Sequence, residues 1–143
     1  MNGLNNAINL MGSVMSAESI QLNLTASNLA NAGSMGSSEK TTYHSQHPVF
    51  STVTSAIQGL NPEDQPIGGV RVTDIHQKTK PLEWRYEPDN PMANADGQVF
   101  VSDVNPIEEM SNMIAASKQY QAAVEMMKSM QGLLLKTIHA INT

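Results

Sequence analysis

Alternating strides of three and four through the last third of the chain give Met110, Met113, Ser117, Tyr120, Val124, Met127, Gln131, Leu134, Ile138 and Ile141, mostly apolar. That spacing is the buried stripe of an amphipathic helix. Asn105 suits the N-cap, Pro106 the first helical position and Glu108 the third, where a carboxylate reaches back to the cap and meets the positive end of the helix dipole. No proline follows Pro106 and Gly132 is the only glycine beyond it, so the pattern predicts one uninterrupted helix over about 106–142.

A weaker stripe of the same period runs through Leu4, Ile8, Met11, Met15, Leu22 and Leu29, interrupted by Glu18 and Thr25, with Gly33 as a stop signal just past Ala32. The remaining faces are Asn, Ser, Gln and Ala. Asparagine is a poor interior helix former, so a helix here is marginal alone and needs a partner. Between these ends the period shortens to two. Leu82, Trp84 and Tyr86 alternate with Glu83, Arg85 and Glu87, as in a strand with one buried and one wet face. Val70 and Val72 after Gly68-Gly69, the run Val49 to Val53, and Val99 to Val101 after an Asp96-Gly97 turn are further short strands. The organisation expected is an N-terminal helix over 1–32, a loop and β-strand region over 33–104 and a long C-terminal helix over 105–143. The fold class is mainly α with a small β module, the two terminal helices pairing as an antiparallel coiled coil.

Charge sharpens this division. Only 15% of the 143 residues are charged, against roughly 25% in an ordinary soluble domain. Residues 1–35 carry a single charged side chain, Glu18, whereas 36–104 carry fourteen and 105–143 six; all seven prolines lie from Pro48 to Pro106. A net charge of -5 argues against nucleic acid as a partner. No apolar run reaches the roughly 18 residues of a membrane span. The chain has no cysteine, which removes disulfides and thiolate chemistry. No Lys or Arg precedes Lys40, unlike the basic start of a secretory signal.

Candidate chemistry is thin. His44 and His47 form an H-x-x-H without a third ligand nearby, and Pro48 points to an extended loop. Asp64, Asp74, Asp89, Asp96 and Asp103 each stand in a turn-like setting where aspartate is common. His139, near the end of the second helix, suits the negative end of its dipole. No nucleophile elbow or phosphate-binding glycine motif occurs. No catalytic, cofactor or metal site is assigned, and the chain does not read as an enzyme. What stands out is two long, charge-poor helices that one subunit cannot bury. Small uncharged residues allow close approach without trapping an unpaired charge, and a head-to-tail contact that does not close generates a helical filament. An assembly subunit fits best. The alternative is a cytosolic coiled-coil adaptor or chaperone-like binding module, which would normally carry flanking charges for partner choice.

Two segments carry a resemblance. Q-L-N-L-T-A-S-N-L-A-N-A over 21–32 resembles the N-terminal signature of bacterial flagellar rod, hook and hook-associated proteins, and N-P-I-E-E-M-S-N-M-I-A-A-S-K-Q-Y-Q-A-A-V-E-M-M-K-S-M over 105–130 is similar to their C-terminal helix. With Y-E-P-D-N-P-M-A-N-A-D-G-Q-V over 86–99 and the short length, the likeness is to a proximal-rod subunit of the flagellar basal-body rod protein family. The resemblance implies a structural subunit of the tubular drive shaft between rotor and hook, in which the terminal helices form a coiled coil lining the inner tube. It implies itself and other rod subunits as partners, with no nucleic acid and no direct membrane insertion. It also implies the flagellar type III export apparatus, with export to the periplasm-spanning rod and no cleaved signal. Carried over by position, the subunit interface comprises Leu22, Ala26, Ser27, Asn28, Leu29, Ala30 and Asn31 on the first helix. On the second it comprises Glu108, Glu109, Met110, Met113, Ile114, Tyr120, Val124, Met127, Leu134 and Ile138.

Overall fold

The computed structural model describes residues 2–55 and 67–141; of the candidate residues above, Asp64 lies outside them. In chain order the elements are α1 (Asn2–Ala30), β1 (Met35–Gly36), β2 (Gln46–Ser55), β3 (Ile67–Gln77), β4 (Glu83–Tyr86), β5 (Gln98–Val101) and α2 (Pro106–Ile141). Terminal helices with a small β module between them match the expected class.

Both helix boundaries have local causes. α1 ends at Ala30 because the next backbone amide, that of Asn31, is shared between the carbonyls of Ser27 and Asn28 at 3.2 and 3.0 Å, tightening the last turn. α2 begins where Asn105 caps it: Asn105 Oδ1 accepts the N–H of Ile107 at 3.1 Å and Pro106, with no N–H to satisfy, occupies the first helical position.

The strands form two sheets. One has the order β1-β5-β4 and the other pairs β2 with β3. Both pairings of the first sheet are antiparallel, with Met35 opposite Val101 and Trp84 opposite Phe100. Gly97 makes the approach to β5 possible. Its φ of 71° is left-handed, where a side chain is strained, and a Cβ there would lie 2.8 Å from Tyr86 Cε2. The expectation that one face of β4 is buried holds at Leu82, just before the strand, and fails beyond it: Trp84 is 55% and Tyr86 69% exposed. Alternation says which side chains share a face; it does not say that anything covers that face. β4 lies at the edge of its sheet, and Trp84 has Phe100 as its cross-strand neighbour.

The chain folds as two compact units, one drawn from Met1–Ile20, Val49–Asp74 and Ala115–Thr143, the other from Gln21–Pro48 and Ile75–Ile114. Among the described residues of the first, the buried apolar side chains are Ala17, Ala116 and Ala123. A Cβ on Gly12 would touch Met127 Cε at 3.8 Å, so α1 comes close to α2 there. The second unit buries Leu82, Val99 and Val104 together with several polar groups. Three buried alanines supply little hydrophobic stabilisation, since the gain scales with the apolar area removed from water.

Among the described residues, the buried positions of α2 are Glu109, Ala116 and Ala123, at heptad spacing, flanked by half-buried Met113, Tyr120, Met127 and Leu134. The apolar stripe read from sequence steps onto Met110, Ser117 and Val124, one residue later each time. Alanine at the centre of a contact lets a neighbouring element approach closely, and the larger side chains then flank it.

Candidate subunit interface

The signature at the end of α1 separates into an inward polar set and an outward small set. Asn28 is fully buried. Its Nδ2 donates to the Gln46 carbonyl at 2.8 Å, while its Oδ1 accepts the Gln46 N–H at 3.0 Å and the Tyr43 hydroxyl at 2.9 Å. Ser27 Oγ lies 3.1 Å from the same Tyr43 hydroxyl, and Asn31 Nδ2 donates to the Ser27 carbonyl at 2.8 Å. Thr25, also buried, satisfies its hydroxyl on the Gln21 carbonyl at 2.8 Å. Ala26 and Ala30 point to solvent, and Leu22 and Leu29 are half-buried. Asn28 and Ser27 therefore hold Tyr43 and Gln46 against the helix, while Thr25 and Asn31 bond back to α1 itself.

The first turn of α2 shows the same separation. Glu108 is exposed, with Lys78 Nζ 4.0 Å from its Oε2. Glu109 is 2% exposed and its Oε1 lies 3.9 Å from His47 Nε2. Nearby, Asp103 Oδ1 accepts the Ser45 N–H at 2.7 Å and the Ser45 carbonyl accepts the Lys78 N–H at 3.1 Å. Among the described residues, Glu109 Oε2, Asp103 Oδ2 and Ser45 Oγ are buried without a hydrogen-bond partner. The two histidines of the H-x-x-H take different partners, since His44 Nε2 faces the Glu39 carbonyl at 3.1 Å. Among the described residues no group of three or more His, Asp or Glu is placed to hold a metal ion. Asp74, Asp89 and Asp96 are exposed and Asp103 is half-buried. On α1, partial burial of Glu18 raises its carboxyl above the usual value of 4.5.

The rest of α2 leaves much apolar surface uncovered. Met110, Ile114 and Ile138 are exposed, whereas Met113, Tyr120, Val124, Met127 and Leu134 are half-buried. Sequence reasoning passed over four further exposed apolar side chains, Ile107, Met126, Leu133 and Leu135. Ile107 is the most open at 77% and forms one ridge with Met110 and Ile114 at spacings of three and four. The available signal was their size on a charge-poor helix; they lie off the single stripe that the stride follows.

Residues 96–139 match the family described as flagellar basal body rod FlgEFG protein C-terminal. Over 135 residues the chain is 39% identical to the flagellar basal-body rod protein FlgC of Buchnera aphidicola subsp. Acyrthosiphon pisum, covering 93% of this chain and 94% of the relative. It is 36% identical over 133 residues to the protein of that name from Salmonella typhimurium and 37% identical over 133 residues to that from Escherichia coli O157:H7, with the same coverage. The chain, matched nearly end to end, belongs to the FlgC family of flagellar basal-body rod proteins.

Proposed function

We propose that the chain is a structural rod subunit that polymerises through its terminal helices with copies of itself and with other rod subunits. It is not an enzyme. The observation that carries the reading is the apolar surface α2 leaves open in the lone subunit, above all Ile107, Met110 and Ile114, all more than half exposed. Contiguous exposed apolar patches mark interaction sites. In the rod, α1 and α2 pair as an antiparallel coiled coil, a pairing supported by the approach of Gly12 to Met127 and by the buried alanines. Ala26, Ala30, Glu108, Met110, Ile114 and Ile138 face neighbours. Leu22, Leu29, Met113, Tyr120, Val124, Met127 and Leu134 divide their surface between partner helix and neighbour. Ser27, Asn28, Asn31 and Glu109 hold the interface from behind.

Delivery runs through the flagellar type III apparatus, and the chain resides in the part of the rod that spans the periplasm. No described helix is long and apolar enough to cross a membrane. The test is a clean deletion, with motility scored and basal bodies imaged by electron microscopy. Non-motile cells with truncated basal bodies, restored by the gene in trans, are expected. A deletion strain that swims on complete rods overturns the reading.

A further inference from the structure

The first compact unit holds an open groove of about 400 Å³ between α1 and the β2–β3 sheet, lined by Ser13, Ser16, Ala17 and Ile20 on one side and by Val53 and the Gly68–Val72 stretch on the other. It is a built feature: Ser13 Oγ accepts the Val70 N–H at 3.1 Å, tying the strand to the helix beside it. A Cβ on Gly68 would meet nothing within 4 Å, so this part of the strand presents bare backbone. Glycine within a strand often marks where another backbone comes close. A cavity of roughly 150 Å³ accommodates a benzene ring, so a groove of about 400 Å³ takes two or more large aliphatic side chains. Arg71 lines it, is exposed, and makes no ion pair with any described residue.

The second unit carries the complementary shape. Ile107, Met110 and Ile114 make an exposed ridge on α2, and of the two carboxylates beside it Glu109 is buried while Glu108 is exposed, with Lys78 Nζ at 4.0 Å. The geometry points to a second copy as the occupant: the Ile107–Met110–Ile114 ridge of one subunit seats in the α1/β-sheet groove of the next, with Glu108 of the incoming copy against Arg71 of the receiving one. Apolar ridge meets apolar groove, and Arg71, the cation among the groove's described lining residues, meets Glu108, the exposed one of the two carboxylates beside the ridge. Because the two surfaces lie on different parts of the same chain, the contact is heterologous, the class that builds rings or open helical filaments. The inference rests on the assembly reading and names which surfaces meet.

The native chain has no cysteine, so engineered thiols report this contact without background. Cells making rods co-express a Ser16→Cys chain and a Met110→Cys chain and are oxidised. A disulfide-linked dimer of this chain is expected from the mixed pair, at least fivefold above either variant alone and above a Lys40→Cys/Met110→Cys pair. Asn9→Cys, on the α1 wall of the same groove, with Ile114→Cys replaces the first pair if either variant is kept out of the rod. Arg71→Glu lowers the dimer yield at least fivefold, and adding Glu108→Arg to the same chain restores it to within twofold, since every copy then supplies both reversed charges. Rods that contain the chain but give no mixed dimer, or a Ser16→Cys chain linked instead to a different protein, overturn the groove contact and leave the rod reading standing. Complete rods built without the chain overturn the rod reading itself.

Discussion

The side-chain amide of Asn28 pairs with both main-chain groups of Gln46, donating to the carbonyl at 2.8 Å and accepting the N–H at 3.0 Å. An asparagine near the end of α1 thus behaves as a neighbouring strand would, satisfying the backbone where β2 begins. Removing it leaves a buried donor and acceptor without partners, each costing about 1–3 kcal/mol. Asn28→Ala should lower unfolding free energy by about 3 kcal/mol, read from the urea midpoint. Asn28→Asp should fall between wild type and alanine, because it accepts from Gln46 and Tyr43 but cannot donate while ionised. A change within about 0.5 kcal/mol, the usual range for surface substitutions, would place Asn28 outside the fold's supports.

His47 and Glu109 give a second prediction. Glu109 is almost entirely enclosed, with His47 Nε2 at 3.9 Å. Where His47 is protonated the two form an ion pair; breaking a buried ion pair by deleting one partner costs about 3–5 kcal/mol, whereas replacing both partners is often neutral. His47 is part-exposed, so His47→Ala should cost somewhat less, about 2 kcal/mol, and adding Glu109→Gln should recover most of the loss. Equal losses in the single and double variants would show that the two side chains are uncoupled.

Glu18 sets a pH dependence. Its carboxyl is raised by partial burial, so the folded chain holds this proton more tightly than the unfolded chain. The stabilising contribution is therefore fully present below the ordinary glutamate range and is lost as pH rises through the folded-state value. Glu18→Gln should melt higher than wild type at neutral pH and converge with it in acid. A constant difference across that range would contradict the assignment.

Two glycines should refuse alanine for different reasons. At Gly97 the left-handed backbone costs a side chain about 1–2 kcal/mol, and Tyr86, being exposed, can swing away from the added methyl. At buried Gly36 a Cβ would stand 2.5 Å from Thr42 Oγ1 and 3.3 Å from Thr42 Cα, where backbone must shift, at about 1–3 kcal/mol. Thermal melts of the two alanine variants should both fall, and Thr42→Ser, which keeps the hydroxyl, should not rescue Gly36→Ala.

What a sequence can disclose here follows from the range of the forces involved. The start of α2 at Pro106, the turn at Gly97 and the strands around Val49–Val53, Val70–Val72 and Val99–Val101 were legible because cap, turn and alternation are local. Asn28 was legible only as part of a signature, since its partners lie 15 and 18 residues along the chain and nothing local distinguishes a buried asparagine from a solvated one. On α2 the predicted stripe shares Met113, Tyr120, Met127 and Leu134 with the inward face and differs by one position at alternate steps, where buried Glu109, Ala116 and Ala123 replace Met110, Ser117 and Val124. Trp84 and Tyr86 were expected inside on alternation alone, and their exposure depends on what lies across the sheet face. The ridge at Ile107 was not legible because it lies off the single stripe and its side chains are exposed in the lone subunit.

The most direct measurement separates assembly from folding at that ridge. Met110→Asp/Ile114→Asp replaces two exposed side chains, so the purified variant should keep its unfolding free energy, read from the urea midpoint, within about 0.5 kcal/mol of wild type. In cells it should be synthesised normally yet be missing from isolated basal bodies, which then lack a complete rod. Recovery of the double variant in basal bodies at the wild-type amount, with swimming intact, would contradict assembly through the exposed face of α2.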